Sequence, residues 1–356
     1  MTQDIDFDSI PILDLAQAKA DRPQFLSELQ HALIHVGFFY IKGHQISADF
    51  LAKLTQTAVD FFDLPLDEKL SVDKIHSPTF LGYSTQGNEL TKEKKDNREQ
   101  YDFANELPEL WSKGAPEYQR LTGPNLWPDL ADFRPTILSF HEQALDLATE
   151  LTHLVAEALD LPSDALDKYV LPGQQHRAKL IKYPARDQLD PDDGDQGVGA
   201  HRDTASLLTI LYQATGHPGL QVQNHSGKWI DAPAIDGTFV VNIGTGLEYL
   251  VQGVAVATTH RVISPPPGSG PRYSVALFQG ARLDRKLFPL EIPQHLLDKK
   301  PSAISDSGHQ FAQVYAQNPG MYALLNRISS HRDVGIKHYP ELAEQHGISA
   351  INSPLQ

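Results

Sequence analysis

The chain has 356 residues, 40% of them hydrophobic, no cysteine, and a formal net charge of −15. Disulfides and thiolate metal sites are therefore excluded, and with no Lys/Arg cluster to offset the acidic surface, neither a nucleic acid nor an anionic membrane is expected as partner. No run reaches the roughly 18 apolar residues of a membrane span and the acidic opening Met1 to Asp8 lacks a secretory pattern, so the expected setting is cytoplasmic and the expected partner a small molecule, with oligomeric state open.

Ile10-Pro11-Ile12-Leu13-Asp14-Leu15 reads as a short strand. Arg22 to His35 reads as a helix with Phe25, Leu29, Leu33 and Ile34 on one face, stopped by Gly37. Phe38-Phe39-Tyr40-Ile41 is β-prone, and Ile46 to Leu64 is helical with a stripe of Leu51, Leu54, Ala58, Phe61 and Phe62 closed by Pro65. Residues 80 to 125 are polar and rich in Gly and Pro, and read as an irregular lid or substrate-facing flap. The strongest helical pattern runs from Phe133 to Leu161.

Beyond Pro172 short β-prone runs replace it: Ala178–Tyr183, Ser206–Tyr212, Leu220–Val222, Trp229–Ala232, Thr238–Ile243, Thr258–Ile263 and Tyr273–Phe278, punctuated by Ser226-Gly227 and Asp236-Gly237. So many short strands in so little chain imply a β-sandwich or jelly roll. From Gln310 onward the pattern is helical again. The expected organisation is one compact domain in four regions: 1–125, an N-terminal helical and β region with the lid-like segment; 126–171, a supporting helix; 172–285, the β core; and 286–356, a C-terminal helical region.

His201-Arg202-Asp203 carries the chemistry. On an extended strand residues i and i+2 face the same side, so His201 and Asp203 can hold one ion, and His260, in Thr258-Thr259-His260-Arg261-Val262, is the best third ligand. Two imidazoles and a carboxylate on one face leave open positions, as in Fe(II) oxygenases. On the strand Arg272-Tyr273-Ser274, Arg272 and Ser274 share a face with Ala276 and Phe278. A guanidinium on an interior row needs an anion, preferably a carboxylate gripped by two hydrogen bonds. Taken singly, each signal has a structural reading: a chance H-x-D, a core histidine, an Arg paired with a structural acid. The acidic loop Asp187 to Asp195 is out of step with an EF-hand and reads as solvated.

In combination the motifs resemble the isopenicillin N synthase-like family of Fe(II)/2-oxoglutarate dioxygenases. They are Gly199-Ala200-His201-Arg202-Asp203, Leu207 to Gln213, Gly219-Leu220-Gln221-Val222, Trp229, Val241-Asn242-Ile243-Gly244, His260-Arg261-Val262 and Arg272-Tyr273-Ser274, in that order, with Val36 to Ile41, His44 and Phe61 to Pro65 matching further upstream. The resemblance covers nearly the whole chain. It implies a mainly β fold with flanking helices around a double-stranded β-helix, a distorted jelly roll. It also implies His201, Asp203 and His260 as iron ligands, Arg272 and Ser274 as anchors of the 2-oxoglutarate distal carboxylate, and Tyr183 as a further contact to that cosubstrate. Fe(II), 2-oxoglutarate and O₂ would together oxidise a small organic molecule in secondary metabolism by hydroxylation, desaturation or rearrangement. Tyr83, Phe103, Leu211 and Phe278 are the expected substrate contacts. Thr245 and Gln252 depart from the family's usual acidic residue and Asn, and Pro265 to Gly270 lengthens the loop before Arg272. Two rival readings stand beside this one: a same-fold oxidase that dispenses with 2-oxoglutarate, and a non-catalytic binding protein on the scaffold.

Overall fold

The helix expected from Arg22 to His35 forms over those residues, for local reasons. Asp21 caps it by accepting from the Gln24 amide, and Pro23 occupies its first turn. Gly37 ends it with φ +69°, where a Cβ would lie 2.2 Å from the Val256 carbonyl oxygen. Both the left-handed backbone and the close approach require glycine there. Gly37→Ala is therefore expected to destabilise the protein by about 2 kcal/mol or more. The check is a lowered urea midpoint at unchanged slope.

The computed structural model describes residues 6–91, 94–170, 173–189, 194–301 and 315–348. Residues 1–5 of the acidic opening, 190–193 of the acidic loop and 310–314 of the expected C-terminal helical stretch lie outside that set. Among the described residues, Ser47 caps a helix over Ala48–Phe62, and the long helix spans Phe133–Ala158. Helices also cover Pro319–Ser330, Arg332–His338 and Pro340–Gln345.

The strands are β1 (Ile12–Asp14), β2 (Phe38–Lys42), β3 (Gly82–Ser84), β4 (Leu90–Thr91), β5 (Lys94–Lys95), β6 (Glu99–Ala104), β7 (Arg177–Tyr183), β8 (Gln196–His201), β9 (Ser206–Gln213), β10 (Leu220–Gln223), β11 (Trp229–Asp231), β12 (Phe239–Ile243), β13 (His260–Ile263) and β14 (Arg272–Gly280). Among the described residues they form an eight-stranded sheet, β1-β2-β12-β9-β14-β7-β6-β3, and a four-stranded sheet, β11-β10-β13-β8, with β4 and β5 a separate hairpin. One face of the large sheet packs on the helices, where Tyr273, Val275 and Leu277 cluster with Phe61, Phe62, Leu151 and Val155. The other face meets the small sheet, where Ile181, Tyr183, Leu211 and Val240 cluster with Val198, Val222 and Val262. Two mainly antiparallel sheets face to face, with helices covering one, make the distorted jelly roll.

Residues 80 to 125 are not simply irregular. Strand β6 pairs with β7 along its length and β3 pairs with β6, so this segment extends the large sheet across the boundaries at 125 and 171. The polar run Glu99-Gln100-Tyr101-Asp102 hides the strand in the sequence, because its charges are neutralised only by distant partners. Lys69 lies 2.8 Å from Glu99, and Lys74 lies 2.6 Å from Asp102 with both side chains buried. No helix among the described residues is long and apolar enough to cross a membrane.

Candidate metal and cosubstrate site

Strand β8 belongs to the small sheet and β9 to the large one, so the chain between them crosses from one sheet to the other. His201 is the last residue of β8, and Asp203 sits in this crossover, where its carbonyl accepts from the Thr245 amide. The two side chains therefore converge through the crossover and not through strand pleating, a correction to the i, i+2 argument. His260 opens β13 and stands directly opposite His201 in the register. Ligand atoms of His201, Asp203 and His260 lie within 4.8 Å of one another. Each histidine Nε2 is 3.6 Å from Asp203 Oδ1.

The surroundings hold the three groups for one ion. His201 Nδ1 is 2.8 Å from the Gly199 carbonyl and His260 Nδ1 is 3.2 Å from that of Thr258. Those contacts place the proton on Nδ1 and turn the Nε2 lone pairs inward. Burial, then the neighbouring His201 ring, pushes His260 down to about 4, so its imidazole is neutral at physiological pH. Burial opposes the Asp203 charge, yet His260, His201 and the Asn242 amide outweigh it and hold the carboxyl below its usual range. Asp203 Oδ2 accepts from Thr209 Oγ1 at 2.5 Å and from Asn242 Nδ2 at 2.8 Å, which leaves Oδ1 for a metal. Two imidazoles and an ionised carboxylate fit Fe(II).

Arg272 and Ser274 stand on β14, facing β7, with Arg272 opposite Tyr183. The Arg272 side chain is buried, its guanidinium carbon 5.1 Å from the Tyr183 ring centroid. One nitrogen, Nη2, donates to Gln213 Oε1 at 2.9 Å, while Nε, Nη1 and the buried Ser274 hydroxyl find no partner. A buried cation without a counter-charge is costly; an acid between Arg272 and Ser274 would satisfy all three orphaned atoms.

A cavity of about 410 Å³ opens beside His201 and Asp203. Phe278 lines it. Leu211 packs instead against the inter-sheet cluster. Tyr83 and Phe103 are buried in the core and do not line this cavity. The Tyr83 hydroxyl donates to Glu99, and Phe103 stacks on Tyr101 at 6.2 Å and packs edge-on against His141. The expected flap does supply part of the wall, through Glu89, Thr91, Arg98 and Leu121. Arg177, Lys179, Arg327 and His331, which sequence reasoning missed, also line it. The signal available for the first two was basic residues at alternate positions of an otherwise apolar strand.

Fold and cluster together define a non-haem iron oxygenase. Residues 10–130 match the family model described as non-haem dioxygenase in morphine synthesis, N-terminal, and residues 175–281 match the 2OG-Fe(II) oxygenase superfamily. A 2-oxoglutarate-dependent dioxygenase, frbJ, from Dothideomycetidae sp. is 41% identical over 94% of this chain and 94% of its own length. Homoarginine-6-hydroxylase 2-ODD-233 of Oryza sativa subsp. japonica is 32% identical over 80% of this chain and 90% of its own. Among solved structures, a full-length Neurospora crassa protein in complex with alpha-KG and 5-formyluracil aligns with a TM-score of 0.69 and 27% identity, covering 89% of this chain and 95% of that one. The chain belongs to the Fe(II)/2-oxoglutarate-dependent dioxygenases. It is an oxidoreductase that uses Fe(II), 2-oxoglutarate and O₂ to oxidise a small molecule.

Proposed function

We propose that His201, Asp203 and His260 hold the Fe(II), and that Arg272 and Ser274, with Tyr183 beside them, grip the far carboxylate of 2-oxoglutarate. The observation that carries this reading is the set of orphaned donors on Arg272 and Ser274, the guanidinium lying over Tyr183 of the cluster between the two sheets, whose small sheet carries His201 and His260. Bound iron would supply O₂ activation coupled to loss of CO₂ from 2-oxoglutarate, one oxygen atom ending in succinate and the other available to the substrate. In hydroxylation a C–H bond becomes C–OH, and 2-oxoglutarate becomes succinate and CO₂.

The chain's own residues bind and orient. The Nδ1 contacts of both histidines fix their rings, Thr209 and Asn242 fix Asp203, and the paired sheets exclude water from the cosubstrate. Phe278, on the same face of β14 as Arg272 and lining the cavity, would contact substrate on this reading. The four regions, 1–125, 126–171, 172–285 and 286–356, act as parts of one domain, since the large sheet draws strands from the first as well as the third. The rice relative's name supports a basic amino acid as the first substrate to test. The net charge of −15 argues against a nucleic-acid substrate.

Anaerobic addition of 2-oxoglutarate to the Fe(II)-loaded protein tests the assignment. A visible charge-transfer absorption should appear, and labelled 2-oxoglutarate should give succinate once air is admitted. If neither occurs while iron is bound, the oxidase that dispenses with 2-oxoglutarate takes its place.

A further inference from the structure

The cavity beside the iron cluster is walled by buried charge that the steps above do not use. Three carboxylates there are matched by three cations. Lys74 pairs with Asp102, Lys179 lies 3.4 Å from Glu89 and 3.6 Å from Asp102, and Arg98 lies 2.7 Å from Glu89 and 3.2 Å from Asp96. Two guanidiniums are left over. Arg177 Nη2 donates to the Thr79 and Leu121 carbonyls at 2.6 and 2.8 Å, both neutral, and its Nη1 is buried without a partner. The Arg327 guanidinium, reaching the same cavity from the helix Pro319–Ser330, makes no hydrogen bond or ion pair among the described residues, and burial outweighs the favourable charges of Asp102 and Glu89. Burial, and then the charge of Arg327, weighs against the Arg177 cation. Two half-buried like charges sharing the wall of one cavity favour an anion between them.

One carboxylate in the cavity wall, Glu89, keeps an oxygen free. Arg98, Gln100 and Lys179 all donate to Glu89 Oε2, and Oε1 carries no hydrogen bond among the described residues. A continuous chain of contacts joins Glu89 to the cluster. Arg98 bridges Glu89 and Asp96, Asp96 Oδ1 accepts from the Gly199 amide, and the Gly199 carbonyl faces His201 Nδ1.

We propose that Arg177 and Arg327 bind the substrate's carboxylate while Glu89 Oε1 receives its cationic end, so that the substrate is a zwitterion of the basic amino acid kind, lying with its charged tail toward the iron. The assignment rests on reading the His201 cluster as the iron site. It adds that the oxidised carbon belongs to the side chain and not to the amino-acid backbone.

Calorimetry on the anaerobic holoenzyme loaded with Fe(II) and 2-oxoglutarate decides it. The probes are L-homoarginine, L-arginine, L-lysine and L-ornithine, each beside the amine that lacks its carboxylate. At least one amino acid should bind, its decarboxylated partner about 10- to 100-fold more weakly. Arg327→Met, which breaks no existing bond, and Arg177→Met should each weaken the amino acid by a similar factor and leave 2-oxoglutarate affinity unchanged. Glu89→Gln should weaken the amino acid as well. If no amino acid binds, if the amines bind equally well, or if Arg327→Met binds like the parent, the proposal falls. Repeating the titration without iron separates the two readings. Carboxylate-dependent binding with no charge-transfer band would leave this site standing and remove the iron assignment; a band without amino-acid binding would do the reverse.

Discussion

His201→Ala protein should fold, bind little Fe(II) and give no detectable succinate. His201 is the cleanest of the three positions to remove. Its side chain is 32% exposed, and its one other polar contact is to the Gly199 carbonyl at the end of a strand. Asp203→Ala should abolish turnover equally, but it also strands the Thr209 hydroxyl and the Asn242 amide in a buried place, at about 1–3 kcal/mol each. A lowered melting temperature is therefore expected for Asp203→Ala and not for His201→Ala. Asn242→Ala keeps all three ligands and loses only a brace on the carboxylate, so iron affinity should fall by about 10- to 100-fold and not vanish. Iron content by metal analysis, succinate by chromatography and melting temperature on the same preparations check the series. Near-normal iron content and turnover in His201→Ala would remove the cluster from the mechanism.

Arg272→Met should raise the Kd for 2-oxoglutarate on the order of 100-fold, because about 3 kcal/mol of charge-assisted, forked hydrogen bonding is lost. Arg272→Lys should recover little of it, since an ammonium keeps the charge but not the fork. A second expectation separates anchoring from plain structure. In the cosubstrate-free protein two of the guanidinium nitrogens of Arg272 are buried without partners, so removing them relieves a desolvation cost. The cosubstrate-free Arg272→Met protein should therefore melt no lower than its parent, whereas the rise in melting temperature that 2-oxoglutarate gives the parent should be absent. Unchanged 2-oxoglutarate affinity in this variant would refute the anchoring role.

What the sequence makes legible is what is decided locally. The helix from Arg22 to His35 carries its own cap, first-turn proline and stop, and its ends fall where those residues stand. His201, Asp203 and His260, which the structure brings together, and the buried Arg272 are legible because their residue types stand out among apolar neighbours. Strand β8 is not, since Gly197 and Gly199 weaken any strand pattern. Glycine is demanded there by distant groups: a Cβ at Gly197 would fall 2.9 Å from the Tyr183 ring, and one at Gly199 would fall 2.8 Å from the Thr91 side chain. The aromatic residues Tyr83 and Phe103 suggest substrate by type alone. Only the pairing of β3, β6 and β7, which the polar residues of β6 conceal, puts them in the core. The cavity wall is the least legible part, because Arg177 and Arg327 lie 150 residues apart and signify only as a pair.

The helix Pro319–Ser330 has an anchorage of its own. Leu324 and Ile328 pack with Phe80, Leu121, Val334 and Tyr339 in a cluster separate from both faces of the large sheet. Of the two guanidiniums proposed to hold the substrate, Arg327 is thus anchored apart from the strands that carry Arg272 and Arg177. On the proposed substrate reading, exchanging residues along that helix should alter which molecules are accepted while leaving the His201–Asp203–His260 cluster and Arg272 in place.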